Sequence, residues 1–286
     1  MTFYQEVTAD TLSPELSPSD FLFFRDLIFQ LSGIHLTEKK RDLLLARLRS
    51  HIEKNKIGSF ADYRALLENV EPNHPELQRF VNLMTTNKTD FFREPKHFNF
   101  IINDLIPYFS ENQKTDITIW SCASSTGEEP YTLSMVFSEH LPQGFQFKIL
   151  ATDIDTQVLS KAQNGVYPIS KLSEIPEEYQ GHNLNIGHEK VAGWFKISDS
   201  IHKKITFQQH NLIENSSLSD EKFDIIFCRN VLIYFTPETI RALMLKLHRT
   251  LKRDGLLFIG HSESIQSSGD LFTTVSPAIF RKKEGS

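Results

Sequence analysis

The chain is poor in the features that mark several protein classes. It holds only two cysteines, Cys122 and Cys228, too few for a disulfide framework, and no Cys/His spacing matches a zinc site. No apolar run approaches the roughly 18–20 residues that span a bilayer, so no membrane insertion is expected. The opening MTFYQEVTADTLSPEL lacks the basic and apolar regions of a secretory signal. A reducing cytoplasm is the expected compartment. A basic excess is missing too, since the net charge is −5, and this argues against nucleic-acid binding. What is present is ordinary for a globular protein: 40% hydrophobic and 23% charged residues over 286 positions, enough for one large domain or two modest ones.

Charge is nevertheless uneven. Between Lys39 and Lys56 seven Lys/Arg face only Asp42 and Glu53. Along the chain, residues 1–18 read as a loose polar tail with Pro14 and Pro18. Ser19-Asp20 is the expected cap of a helix carrying Phe21, Phe24, Ile28 and Leu31, closed by Gly33. Thr37 can cap a second helix to about Lys56. Ser59 with Asp62 resembles a capping box for a third, with Phe60, Tyr63, Leu66 and Leu67. A break at 71–75 precedes a fourth helix towards Met84. Residues 19–85 therefore read as an all-helical domain, and 86–114 as an interdomain segment and helix.

From residue 115 to 286 the pattern changes to short apolar runs at 117–121, 147–151, 205–208, 223–228 and 256–260, with helical stretches at 129–139, 156–164 and 237–251. Such alternation implies a parallel sheet with helices on both faces, an α/β domain. The run 278–282 can add a last strand beside 256–260. The stretch 171–204 lacks a full helix–strand unit and is read as a small inserted β subdomain, with short strands at 191–197 and Trp194 and Phe195 in its core.

In an open α/β sheet the ligand sits beyond the carboxyl ends of the strands. The loop after the first strand, Ser121-Cys122-Ala123-Ser124-Ser125-Thr126-Gly127-Glu128-Glu129-Pro130, has one glycine where a dinucleotide fingerprint has three. Two carboxylates at a helix start suit a cationic, phosphate-free nucleoside such as S-adenosylmethionine better than NAD. They equally complement a helix dipole. The second strand ends Ala151-Thr152-Asp153-Ile154-Asp155, where an acidic residue commonly accepts ribose hydroxyls; Asp155 suits a helix cap. In 223–235, apolar residues lead directly into Arg229-Asn230 at the strand's carboxyl edge.

These strings resemble the CheR-type chemotaxis receptor (protein-glutamate) O-methyltransferases. The resemblance rests on Thr85-Thr86-Asn87-Lys88-Thr89-Asp90-Phe91-Phe92-Arg93-Glu94, on Ser124 to Tyr131, on 151–155, on Phe227-Cys228-Arg229-Asn230-Val231-Leu232-Ile233-Tyr234-Phe235 and on Asp254 to Glu263, and it spans about residues 20–282. It implies a Rossmann-like class I methyltransferase domain with an inserted β subdomain, preceded by an all-helical domain. It further implies S-adenosylmethionine as methyl donor, S-adenosylhomocysteine as product, and glutamate side chains of chemotaxis receptors as acceptors. Carried over by position, Asn87, Thr89 and Arg93 line the cofactor pocket, Glu129 meets the amino-acid end, and Asp153 meets the ribose. Asn211 and Leu212 border the adenine, Arg229 and Asn230 close the site, and Arg93 and Tyr234 stand beside the reactive methyl. No metal ligand is expected.

Lys40, Arg47, His51 and Lys54 fall on one helical stripe beside Leu44, Leu45, Leu48 and Ile52. A solvated charged face is the default reading, but the resemblance favours docking to the cytoplasmic helical region of receptors. The family's β subdomain can also bind a receptor's C-terminal peptide in some members. Competing readings are the same chemistry on another signalling protein, a non-catalytic S-adenosylmethionine-binding regulator, and, disfavoured by the missing glycines, an NAD oxidoreductase.

Overall fold

The computed structural model describes residues 15–214, 222–265 and 268–284; residues 1–14 of the expected tail lie outside the described residues. Two compact units emerge, one running to Leu31 and resuming over His35–Met84, the other holding Ser32–Ile34 and everything from Thr85 onward.

The first unit is helical: α1 (Pro18–Ser32), a 3-10 turn (Glu38–Lys40), α2 (Arg41–Lys54), α3 (Phe60–Glu68) and α4 (Pro75–Met84). The cap of α1 differs from the expected Ser19-Asp20. Ser17 Oγ accepts from the Asp20 N–H at 3.1 Å and donates to its carboxylate at 2.6 Å, and Leu16 is buried. The tail is therefore anchored before residue 18. Ser59 caps α3 through the Asp62 N–H, as its spacing with Asp62 implied. Leu44, Leu48 and Ile52 form the buried stripe of α2, while Phe24 packs on Tyr63 and Phe80 at 5.9 and 5.8 Å between ring centres.

The second unit opens with α5 (Lys96–Phe100), which continues through a π-helical turn (Ile101–Leu105) into α6 (Ile106–Glu111). Next come β1 (Asp116–Cys122), α7 (Glu128–His140), β2 (Gln146–Asp153), α8 (Thr156–Asn164), β3 (Val166–Pro168), α9 (Glu177–Gln180), β4 (Leu184–Ile186), β5 (Trp194–Ile197), α10 (Asp199–His202) and β6 (Ile205–Gln209). It closes with β7 (Phe223–Cys228), α11 (Pro237–Thr250), β8 (Leu251–Ile259), β9 (Phe272–Ser276) and β10 (Ile279–Lys282).

The main sheet has the order β6-β2-β1-β7-β8-β10-β9. Its first five strands are parallel, whereas β10 pairs antiparallel with both β8 and β9. The sheet is thus mixed rather than parallel throughout, and β9 escaped the sequence reading. The strand-forming run Thr273-Thr274-Val275, closed by Pro277, was its signal. All of β7 is buried, as a central parallel strand requires when helices cover both faces. At the opposite end of the sheet from the loops considered below, Asp224 accepts from Thr118 and Lys252 and pairs with Lys114, pinning β1 to β7.

The inserted sheet, β3-β5-β4, is antiparallel and begins at Val166, earlier than the expected 171. Phe195 is 1% exposed, as a core residue should be, but Trp194 is 48% exposed. Neighbours on a strand face opposite sides, so the two cannot share one small core. No helix of the described residues is long and apolar enough to cross a membrane.

Candidate functional site

Chain order reverses on either side of β1, which lies between β2 and β7, so the crevice beyond their carboxyl ends is the natural ligand site. The loop after β1 is tightly wound: Ala123, Ser125 and Gly127 all have positive φ. Gly127, at +99°, must be glycine, because a Cβ there would meet the Tyr167 hydroxyl at 2.9 Å and the Ala162 Cβ at 3.0 Å. Ser124 Oγ is buried without a hydrogen-bond partner, an orphaned polar atom in the loop expected to cradle a ligand.

The two loop glutamates differ. Glu128 accepts from Thr126 Oγ1 at 2.6 Å and pairs with Lys171 at 3.0 Å. Its charge is therefore neutralised inside the protein. Glu129 accepts from Ser121 Oγ at 2.7 Å and from Arg229 at 3.0 Å. Burial pushes its carboxyl upward while the Arg229 guanidinium opposes the rise.

Arg229 organises this half of the site. Its side chain is 2% exposed and lies against the rings of Phe98 and Phe227. It donates to Glu129, to Glu94 at 3.0 Å and to the Arg93 carbonyl at 2.5 Å. Its guanidinium thus holds Glu129, Glu94 and the Arg93 backbone in place. Asn230, at φ +57, donates its N–H to Glu263, which also accepts from Gly260 and Leu232. Glu263 thereby shapes the turn leading to Tyr234. Glu94 and Glu263 had no assigned role in the sequence; both lay inside strings carrying the family resemblance, but their roles depend on residues far along the chain.

A second group forms at the end of β2. Asp153 accepts from the Ser125 and Asp155 N–H groups at 2.8 and 2.9 Å, and burial pushes its carboxyl up to about 6. Asp155 caps α8 and also accepts from Thr85 and Asn87, both at 2.7 Å. The Asn87 carbonyl in turn accepts from Ser125 Oγ at 2.8 Å, tying the 85–94 segment to the loop after β1. Thr89 is half-buried and its carbonyl accepts from Lys171. The His210 N–H binds the Asp153 carbonyl, which brings Asn211 and buried Leu212 to the same edge. Arg93 donates to the Lys88 carbonyl at 3.0 Å, and Tyr234 ends a short 3-10 turn. Their side chains share no hydrogen bond. Phe92 and Glu94, flanking Arg93, both have positive φ, conformations costing about 1–3 kcal/mol each for residues other than glycine.

The donor set fits a cationic nucleoside: a mostly buried carboxylate at the start of α7, an acidic strand end, small loop residues and no phosphate-binding glycine run. Two family models match the chain. One, described as the CheR methyltransferase SAM-binding domain, covers residues 87–280, and the other, the CheR methyltransferase all-alpha domain, covers 19–85. This chain belongs to the CheR methyltransferase family. Among similar proteins, a "Chemotaxis protein methyltransferase" of Borreliella burgdorferi is 36% identical over 90% of this chain and 91% of its own. "Chemotaxis protein methyltransferase 2" of Pseudomonas aeruginosa is 37% identical over 91% and 92%, and the Escherichia coli "Chemotaxis protein methyltransferase" is 34% identical over 93% and 91%. The protein is thus an S-adenosylmethionine-dependent methyltransferase, with the α/β architecture and helical first domain that its sequence implied.

Proposed function

We propose that this methyltransferase esterifies glutamate side chains in the cytoplasmic helical region of chemotaxis receptors, releasing S-adenosylhomocysteine and serving adaptation. The observation that carries the reading is the single buried guanidinium of Arg229, which binds Glu129 on the cofactor side and the Arg93 carbonyl on the acceptor side. Methyl donor and acceptor are then aligned by one rigid piece.

When bound, S-adenosylmethionine supplies an electrophilic sulfonium methyl. A glutamate acceptor, with an ordinary pKa near ~4.3, is already ionised at neutral pH and needs no general base. The protein supplies alignment and exclusion of water, together worth up to about 7–11 kcal/mol. Arg93 offers the planar fork that suits a carboxylate, and Tyr234 adds a hydroxyl. Their grip must stay moderate, because the acceptor loses its charge in the ester and excess ground-state binding would raise the barrier. Asp153 receives the ribose hydroxyls, Asn87 and Thr89 wall the pocket, and Asn211 and Leu212 border the adenine. On the inserted sheet the exposed Trp194 offers an apolar anchor for a receptor's C-terminal peptide.

Incubation with methyl-labelled cofactor and receptor-bearing membranes tests the proposal. Base-labile label on the receptor is the expected result, falling roughly 100-fold or more in Arg93→Ala. Label on a different protein would favour another acceptor. Tight cofactor binding without any transfer would favour a non-catalytic regulator.

A further inference from the structure

We propose that Glu94, His97 and His261 form a binding site for one divalent first-row transition cation of the zinc type. The three are remote in sequence: Glu94 follows Arg93, His97 lies in α5, and His261 stands just past the end of β8. One donor atom of each lies within 4.8 Å of the others.

His97 supplies the independent sign of a ligand. It is 0% exposed and held edge-on among Phe227, Phe258 and the His261 ring, the last at 4.7 Å between centres. Neither of its ring nitrogens has a hydrogen-bond partner. Nδ1 lies 3.7 Å from Glu94 Oε2, so the unpaired imidazole faces the cluster, with the less engaged Oε1 on the same carboxylate. Leaving a buried polar group unsatisfied destabilises the fold, and metal coordination would satisfy one of the two ring nitrogens.

Glu94 has capacity to spare. Its Oε2 is taken by Arg229 at 3.0 Å, while Oε1 holds only long contacts to Asn230 Nδ2 at 3.4 Å and the His261 N–H at 3.3 Å. Charge permits a dication: Arg229 faces Glu94 and Glu129 directly, and Asn230 links Glu94 to Glu263. Two imidazoles and one carboxylate suit zinc and its neighbours, whereas magnesium and calcium prefer all-oxygen shells.

Neighbouring ligands around a tetrahedral zinc, with bonds of ~2.1 Å, stand roughly 3.4 Å apart. The cluster must therefore tighten by about an ångström, which exposed His261 can supply by turning. A cavity of about 530 Å³ lined in part by Lys96, His261 and Glu263 gives an entry route and room for water as remaining ligand. Occupancy would draw on Glu94, the partner of Arg229, and so bear on Arg93.

The test uses the full chain stripped of metal by chelation and dialysis, titrated with Zn²⁺ by calorimetry and with Co²⁺ by visible absorption. Binding of one equivalent is expected, with Co²⁺ bands of a low-coordinate nitrogen/oxygen site. Affinity should fall about 100-fold or more in His261→Ala, whose exposed position leaves the metal-free fold and melting temperature unchanged. His97→Gln should lose the site as well. Absence of stoichiometric binding, or equal affinity in His261→Ala and Glu94→Gln, would assign any bound metal to scattered surface histidines and overturn the proposal.

Discussion

Asp153 accepts two backbone hydrogen bonds, yet burial still pushes its carboxyl up to about 6. Its folded pKa thus exceeds the ordinary 3.8, so between those values the folded protein holds a proton that the unfolded chain releases. Stability from this group falls as pH rises across that window, and above about 6 the ionised carboxylate carries a constant cost near 3 kcal/mol. Ribose hydroxyls donating to the ionised form would repay part of that cost. Cofactor affinity, measured by calorimetry between about pH 5 and 7.5, should therefore strengthen with pH and level off above about 6. Asp153→Asn should bind several-fold more weakly and flatten the profile; an unchanged profile would remove Asp153 from the ribose site. The residue's place at the end of β2 was legible from the string 151–155. Its partner Ser125, 28 positions earlier, was not.

Among elements, α2 departs most from its sequence reading. Periodicity placed Lys40, Arg47, His51 and Lys54 on one stripe, but the helix does not leave them equivalent. Arg47 donates to the Met84 carbonyl at 2.7 Å, and His51 bonds the buried Glu76 at 2.7 Å, beside Tyr63. Periodicity gives direction around a helix and says nothing of what packs there. Lys40 and Lys54 remain exposed and are the groups to test. Reversing both to glutamate should weaken receptor binding about fivefold to tenfold at low ionic strength, with the difference shrinking as salt screens it. Sedimentation with receptor membranes across a salt series measures this, and an effect independent of salt would refute electrostatic docking. Reversal at His51 is expected to disturb the helical unit itself. In the second unit, the start of α8 was readable because Asp155 suits a helix cap, whereas β9 lacked an apolar run.

Ligand binding should register as stability of the entire fold, since a molecule that binds only the native state stabilises it by mass action. At a hundredfold excess over the dissociation constant the gain is about 2.7 kcal/mol. S-adenosylmethionine and S-adenosylhomocysteine should both raise the melting temperature, and NAD should not, because the loop after β1 offers acid and no glycine run for a pyrophosphate. An upward shift with NAD alone would contradict the assignment of the crevice.

Local strings sufficed for the family, the helical first domain, the parallel strands 1, 2, 6, 7 and 8, and the acidic, glycine-poor character of the loop after β1, because each depends on residues adjacent in the chain. Folding alone determined that Lys171 neutralises Glu128, that Arg229 joins Glu94 to Glu129 across about a hundred residues and more, and that His97 meets His261. Those pairings arise from strand order and burial: β1, β7 and β8 set their carboxyl ends side by side, and a charge removed from water must find its partner among whatever the neighbouring strands present.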